Sequence, residues 1–158
     1  MSKTREDALS TAAVIDLGNL RYADERQYDV RHPSTTKPMG WLITLAGPGH
    51  PKTVEAVELE FRQQEEAETK RQEEAVDAIK AGKDAPKIRK TITELRADNA
   101  ARIVRRLIHI QPAMINGHRI DMDTIGTILT DPGFEWLFNQ LNNELVSRSA
   151  FLPTSAGT

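Results

Sequence analysis

Cysteine is absent from this chain of 158 residues, and its absence excludes two kinds of site. Without thiols the protein can form neither a disulfide framework nor a thiolate metal centre, and the chain is compatible with a reducing compartment. Aromatic residues make up only 5% of the sequence, whereas charged residues make up 28%. We therefore expect one domain with a modest apolar core and an extended, solvated part.

Long apolar runs are also missing. The first twenty residues, MSKTREDALSTAAVIDLGNL, mix acids with bases around a short apolar run, which fails both as a signal peptide and as a membrane span. The net charge of −2 gives no global attraction for nucleic acid or an anionic membrane. These features predict a soluble, non-exported protein that has no membrane partner and a flexible N-terminal segment at 1–20.

The clearest pattern present is the apolar stripe near the C-terminus. Residues spaced by three and four positions share one helical face there, and Asp131 and Pro132 are typical of a helix start. The stripe predicts a helix over 132–149, preceded by a short helix over 123–130. Trp136 lies roughly 200° from Phe134 on the helical wheel. Two interpretations stay open for Trp136: it packs under a neighbouring strand, or it anchors a partner.

Upstream of this stripe the chain predicts a mixed fold. Alternating Tyr28 and Val30, a turn-rich segment and the run from Trp41 to Leu45 predict a β-hairpin over 22–46. Two long helices are then expected, over 51–80 and 86–110, separated by a turn at Gly82. The fold class is thus α+β, mostly α, with a β-hairpin packed on a long antiparallel helical hairpin and a C-terminal helical segment. The single domain covers 21–152, and a flexible tail follows at 153–158.

The two long helices carry opposite charge. Between positions 50 and 80 there are nine acids and five bases, whereas the following helix is basic. We expect charge pairing within the helical hairpin or with a protein partner, although Arg96, Arg102, Arg105 and Arg106 could also contact nucleic acid. Nucleic acid is the less favoured partner because the basic helix lacks interleaved aromatic residues. Self-association is left open.

Sites for chemistry are weakly signalled. The loop over 46–53 occupies the place of a phosphate-binding loop, but Pro51 removes a backbone donor and the glycine spacing does not match. His118, Asp121 and Asp123 could supply metal ligands, although a loop histidine with two capping aspartates is the ordinary interpretation. We therefore predict no catalytic residue, cofactor or metal site. The residues predicted to bind a partner are Trp136, Phe151, Arg96, Arg102, Arg106, Glu65 and Glu66.

Three stretches in order resemble the tail assembly chaperones of long-tailed bacteriophages. They are residues 32–48 (HPSTTKPMGWLITLAGP), a charged helical middle, and a closing helix that starts at 131–137 (DPGFEWL) and ends at 148–152 (RSAFL). The resemblance implies a non-enzymatic protein that escorts the tape measure protein and other tail components during assembly. It also implies location in the host cytoplasm, absence from the finished virion, and a short form of a product that can be extended by frameshifting.

Two other functions remain compatible with these residues. A permanent virion or head-tail connector component would use the same apolar and charged surfaces in a symmetric ring. A small phage protein that binds nucleic acid or a host factor would instead use the basic helix.

Overall fold

The computed structural model describes residues 16–87 and 89–153 of the chain. The strands are β1 (Glu25–Arg31), β2 (Pro38–Ala46), β3 (Leu107–Ile110), β4 (Ala113–Ile115) and β5 (His118–Ile120), and the helices are α1 (Pro51–Lys80), α2 (Ile92–Val104), α3 (Ile125–Thr130) and α4 (Glu135–Val146). Short 3-10 turns occur at Gly18–Leu20, Pro132–Phe134 and Arg148–Phe151. The α+β, mostly α, fold class is therefore confirmed, whereas the expected flexibility of the termini falls largely on residues outside the described ranges.

The central sheet has the order β1-β2-β3, and both pairings are antiparallel. The predicted hairpin over 22–46 forms its first two strands. Ile43 and Leu45 are fully buried, as the alternation of the sequence predicts, and Trp41 is half-buried. Strands β4 and β5 form a separate ribbon around the Asn116–Gly117 turn, in which both residues have positive φ. An Asn-Gly pair suits such a turn because it tolerates this backbone conformation.

The predicted helix over 86–110 is wrong at both ends. Helix α2 begins only after Thr91, whose side chain accepts a hydrogen bond from the Glu94 amide while the Glu94 carboxylate accepts one from the Thr91 amide. This reciprocal pair is a strong helix start, so residues 86, 87 and 89–91 remain outside the helix. Beyond Val104 the chain turns into β3, which pairs with β2 at Ile43, Thr44 and Leu45.

The core lies between the sheet and helices α2, α3 and α4. The predicted helices over 123–130 and 132–149 appear as α3 and α4, but the second is shorter than expected because 3-10 turns form both of its ends. Gln140 of α4 also covers the outer edge of β1, where its side-chain amide accepts from the Arg31 amide at 2.9 Å and donates to the Arg31 carbonyl at 2.8 Å. An edge strand covered in this way offers fewer free backbone groups to another chain.

Candidate protein-binding surfaces

Helix α1 is fixed to the rest of the molecule at its first three turns. The His50 ring accepts a hydrogen bond from the Lys52 amide at 3.0 Å, and Pro51 occupies the first turn, where its missing amide hydrogen costs nothing. The Lys52 ammonium donates to the Leu107 carbonyl at 2.6 Å, and Ala56 is the buried residue of this helix. These contacts tie the start of α1 to β3 and the core.

Glu60 forms the last of these anchoring contacts. Its carboxylate accepts two hydrogen bonds from the Arg106 guanidinium, at 2.8 and 2.9 Å, and lies 3.7 Å from Arg105. The hydrogen bond from Arg106 lowers the pKa of Glu60, and the nearby charges of Arg102 and Arg105 act in the same direction. Arg106 is therefore paired within the protein, which is the first of the two alternatives predicted for the basic helix, and its guanidinium is less open to a partner than that of Arg102.

Beyond Glu60, α1 projects away from the core. Every residue from Phe61 to Glu73 is exposed, and the ion pairs found here, such as Arg71 with Glu68 and Lys70 with Glu74, lie within the helix itself. The sequence predicts that charge aligns the outer halves of two long helices. Among the described residues, Glu60 alone joins α1 to this part of the chain by ion pairs, and its partners Arg105 and Arg106 directly follow α2. Helix α2 is too short to accompany α1 along its length.

Five large apolar side chains of α1 point to one side and remain open to solvent. At about 100° per residue they fall within a sector of about 100°, which we call the α1 stripe. Leu59 is also exposed, at 41%, but it lies outside this sector. The members of the α1 stripe and their exposed fractions are Val54 46%, Val57 52%, Phe61 60%, Val76 48% and Ile79 72%.

A cleft of about 550 Å³ separates α1 from α2. Gln64 and Arg71 line one wall of the cleft, and Lys90 and Asp98 line the other. The chain therefore runs along α2 back toward the start of α1, so the two helices are antiparallel. Exposed Arg102 borders this cleft and a second one of about 480 Å³ that reaches Val146. Both clefts are within the size range of binding pockets in general. Arg102 thus remains available to a partner.

Trp136 belongs to a different, apolar groove of about 250 Å³. The groove is bordered by Trp41 and by two exposed methionines, Met39 (42%) and Met114 (64%). Trp136 is half-buried, and its ring centroid lies 6.4 Å from that of Phe134 at an angle of 50°, a tilted aromatic contact. Both interpretations of Trp136 therefore remain compatible with the structure. The ring packs against the core, and it also borders an open groove that a partner could enter.

The remaining predicted partner residues lie in unlike environments. Phe151 is 2% exposed and sits in the core, so its assignment to partner binding is wrong. Its backbone carbonyl accepts a hydrogen bond from the Ala23 amide at 2.7 Å, which joins the segment after α4 to the segment before β1. Arg96 is exposed beside Asp131 and Glu135. Glu65 and Glu66 are both exposed on α1, but neighbouring helical residues lie about 100° apart, so only Glu65 falls on the α1 stripe.

The loop between β2 and α1 packs closely against the segment that precedes β1. The Gly47 amide donates to the Asp24 carbonyl at 2.7 Å, and a Cβ at Gly47 would lie 2.0 Å from the Ala23 carbonyl oxygen. Glycine is required at this position because the segment before β1 crosses here. Glycine is thus needed here because two chain segments pack closely. From the sequence alone, a glycine needed for packing looks the same as a glycine of a phosphate-binding loop.

His118, Asp121 and Asp123 do not converge on one point. The Asp121 carboxylate accepts from the Asp123 amide at 3.0 Å and lies 3.6 Å from Arg119. The residue before α3 is Thr124, and no side-chain hydrogen bond caps this helix, so the expected capping by the two aspartates is wrong. Within residues 16–87 and 89–153, no group of three or more His, Cys, Asp or Glu side chains could hold a metal ion. None of the helices in that part of the chain combines the length and apolar character needed to cross a membrane.

No family model matches the chain, and no curated protein or solved structure matches it either.

Proposed function

We propose that this protein binds a helical segment of another polypeptide along α1, and that it acts as a tail assembly chaperone for the tape measure protein of a long-tailed bacteriophage. The observation that carries the first part is the α1 stripe: a helix of 30 residues exposes five large apolar side chains on one side. The sequence resemblance described above supports the second part, including action in the host cytoplasm and release before the virion is complete.

The projection of α1 supports a binding role over a purely structural one. A helix in a globular domain normally gains stability by burying an apolar stripe. In α1 the stripe continues to Ile79, far beyond the last anchoring contact at Glu60. Apolar side chains at successive helical turns are the usual contacts when one helix binds along another. A long helical partner would bury them and remove apolar surface from water.

Capture of a tape measure protein encoded in the same genome tests this proposal. Both proteins are co-expressed, and the amount that co-purifies is measured for the wild type and for Phe61→Asp. Burying a side chain of this size contributes about 1.5–3 kcal/mol, so we expect the substitution to weaken binding by about 10- to 100-fold.

Leu59→Asp is the matched control, because it introduces the same charge at an exposed apolar residue of α1 outside the stripe. It should leave capture unchanged. Equal capture by the wild type and both variants would contradict a binding site on the stripe, and no capture by any of them would contradict the chaperone assignment.

A further inference from the structure

The charges on the α1 stripe restrict what can cover it. In the sector that contains the five apolar residues, the charged side chains are Glu58, Glu65 and Glu68, and all three are acidic. Glu58 and Glu68 lie 3.8 and 3.5 Å from Arg62 and Arg71, in exposed pairs that water screens strongly. The middle of the stripe is therefore acidic at Glu65 and Glu68, and both of its ends are mainly apolar. At the N-terminal end Glu58 lies between Val57 and Phe61, which also line the cleft shared with Arg102.

A second copy of α1 fits this stripe poorly. In a parallel pair, Glu65 and Glu68 would each face their own equivalents. In an antiparallel pair the apolar ends match, since Val54 would lie opposite Ile79 and Val57 opposite Val76, but Glu65 would then lie opposite Glu68. Both arrangements place like charges together at the centre of the contact, and like-charge neighbours between helices are destabilising.

We infer that the partner segment is an amphipathic helix with apolar residues toward its two ends and Lys or Arg at its centre. Opposite charge at Glu65 and Glu68 would fix the position of the partner along α1, while the apolar ends would supply most of the affinity. The stripe extends over 26 residues, which is about 38 Å of helix at 1.5 Å per residue, so the partner segment is about as long. This inference rests on the proposed function and specifies the chemistry of the same surface.

Two synthetic helical peptides of about 26 residues can test the inference without the tape measure protein. Both carry Leu at the stripe positions, and their two central charged positions are Lys in one and Glu in the other. Binding to the full chain is measured by fluorescence anisotropy at low salt. We expect the Lys peptide to bind about tenfold more tightly than the Glu peptide, and added salt to reduce the difference.

Charge reversal in the protein makes the test specific. The double variant E65K/E68K should reverse the preference between the peptides. The control E74K/D77K makes the same change in charge at positions about 150° from the centre of the α1 stripe. It should leave the preference for the Lys peptide intact. Equal binding of the two peptides, or an unreversed preference in E65K/E68K, would overturn the inference even where Phe61→Asp still weakens capture of the tape measure protein.

Self-association is the competing outcome, and sedimentation velocity of the full chain detects it. Monomeric behaviour at micromolar concentration supports a foreign basic helix as the occupant. A dimer that dissociates in Phe61→Asp but persists in Leu59→Asp would show that a second copy covers the stripe and would overturn the inference. Failure of both peptides to bind, together with loss of tape measure capture in Phe61→Asp, would also overturn it while leaving the proposed function intact.

Discussion

At the scale of single residues, Glu60 forms the last contact that holds α1 to the rest of the molecule, and the α1 stripe lies on both sides of this position in the sequence. Its side chain is 20% exposed and that of Arg106 is 18% exposed, so their paired hydrogen bonds are partly shielded from water. Paired hydrogen bonds between a guanidinium and a carboxylate are among the stronger polar contacts in proteins. The sequence shows that both charges exist, but not that they meet across 46 positions.

Glu60→Gln should lower the free energy of unfolding at neutral pH by about 1–3 kcal/mol, because Arg106 would lose its ionised partner. The folded-state pKa of Glu60 lies below the ordinary value of 4.5. The contribution of this group to stability is therefore fully present above pH 4.5 and is lost as the pH falls through the lower folded-state pKa. The acid side of the stability profile should be flatter in the variant, as measured by urea denaturation across pH.

Glu58→Gln is the matched control for this measurement. Glu58 lies 3.8 Å from Arg62 in a pair whose side chains are 60% and 70% exposed, and such pairs contribute little to stability. A change of more than about 1 kcal/mol in Glu58→Gln, or none in Glu60→Gln, would contradict the anchoring role of Glu60.

At the scale of elements, the sequence predicts the helices and strands whose starts and stops are set by neighbouring residues. The ends of α1 are such a case, because Pro51 suits a first turn and Gly82, with a φ of +68°, suits a helix stop. The β3 strand is the opposite case. Its residues, LIHI, continue the apolar spacing of α2, and only pairing with β2 decides that they form a strand. Short apolar runs are ambiguous between helix and strand until their tertiary contacts are known.

The loop between β2 and α1 allows a test at this scale. Gly47→Ala places a Cβ against the Ala23 carbonyl, so we expect the free energy of unfolding to fall by more than about 2 kcal/mol. Gly49→Ala, two residues along the same loop, meets only the Asp24 carboxylate at 3.8 Å and should change stability by less than about 0.5 kcal/mol. Thermal unfolding followed by circular dichroism distinguishes them. Similar stabilities for the two variants would contradict the close crossing of the chain at Gly47.

At the scale of the whole molecule, a small α+β body carries one long projecting helix. Composition and charge pattern predict the division between an apolar core and a solvated arm, and they also identify Glu65 as a surface residue. They fail for Phe151, because no local pattern shows that the chain returns after α4 to the core formed by the sheet and the helices. The direction of an exposed side chain follows from helix periodicity, whereas the burial of a residue near a terminus depends on the completed fold.

The most direct measurement of the central claim is amide hydrogen exchange of the protein alone and in complex with the tape measure protein. In the free protein, amides beyond Glu60 in α1 should exchange faster than those of α4, because this half of the helix has few tertiary contacts. On binding, we predict that protection increases along α1 from Val54 to Ile79. Protection confined to the groove around Trp136, or a complex in which exchange along α1 is unchanged, would contradict the claim that α1 is the surface that holds the partner.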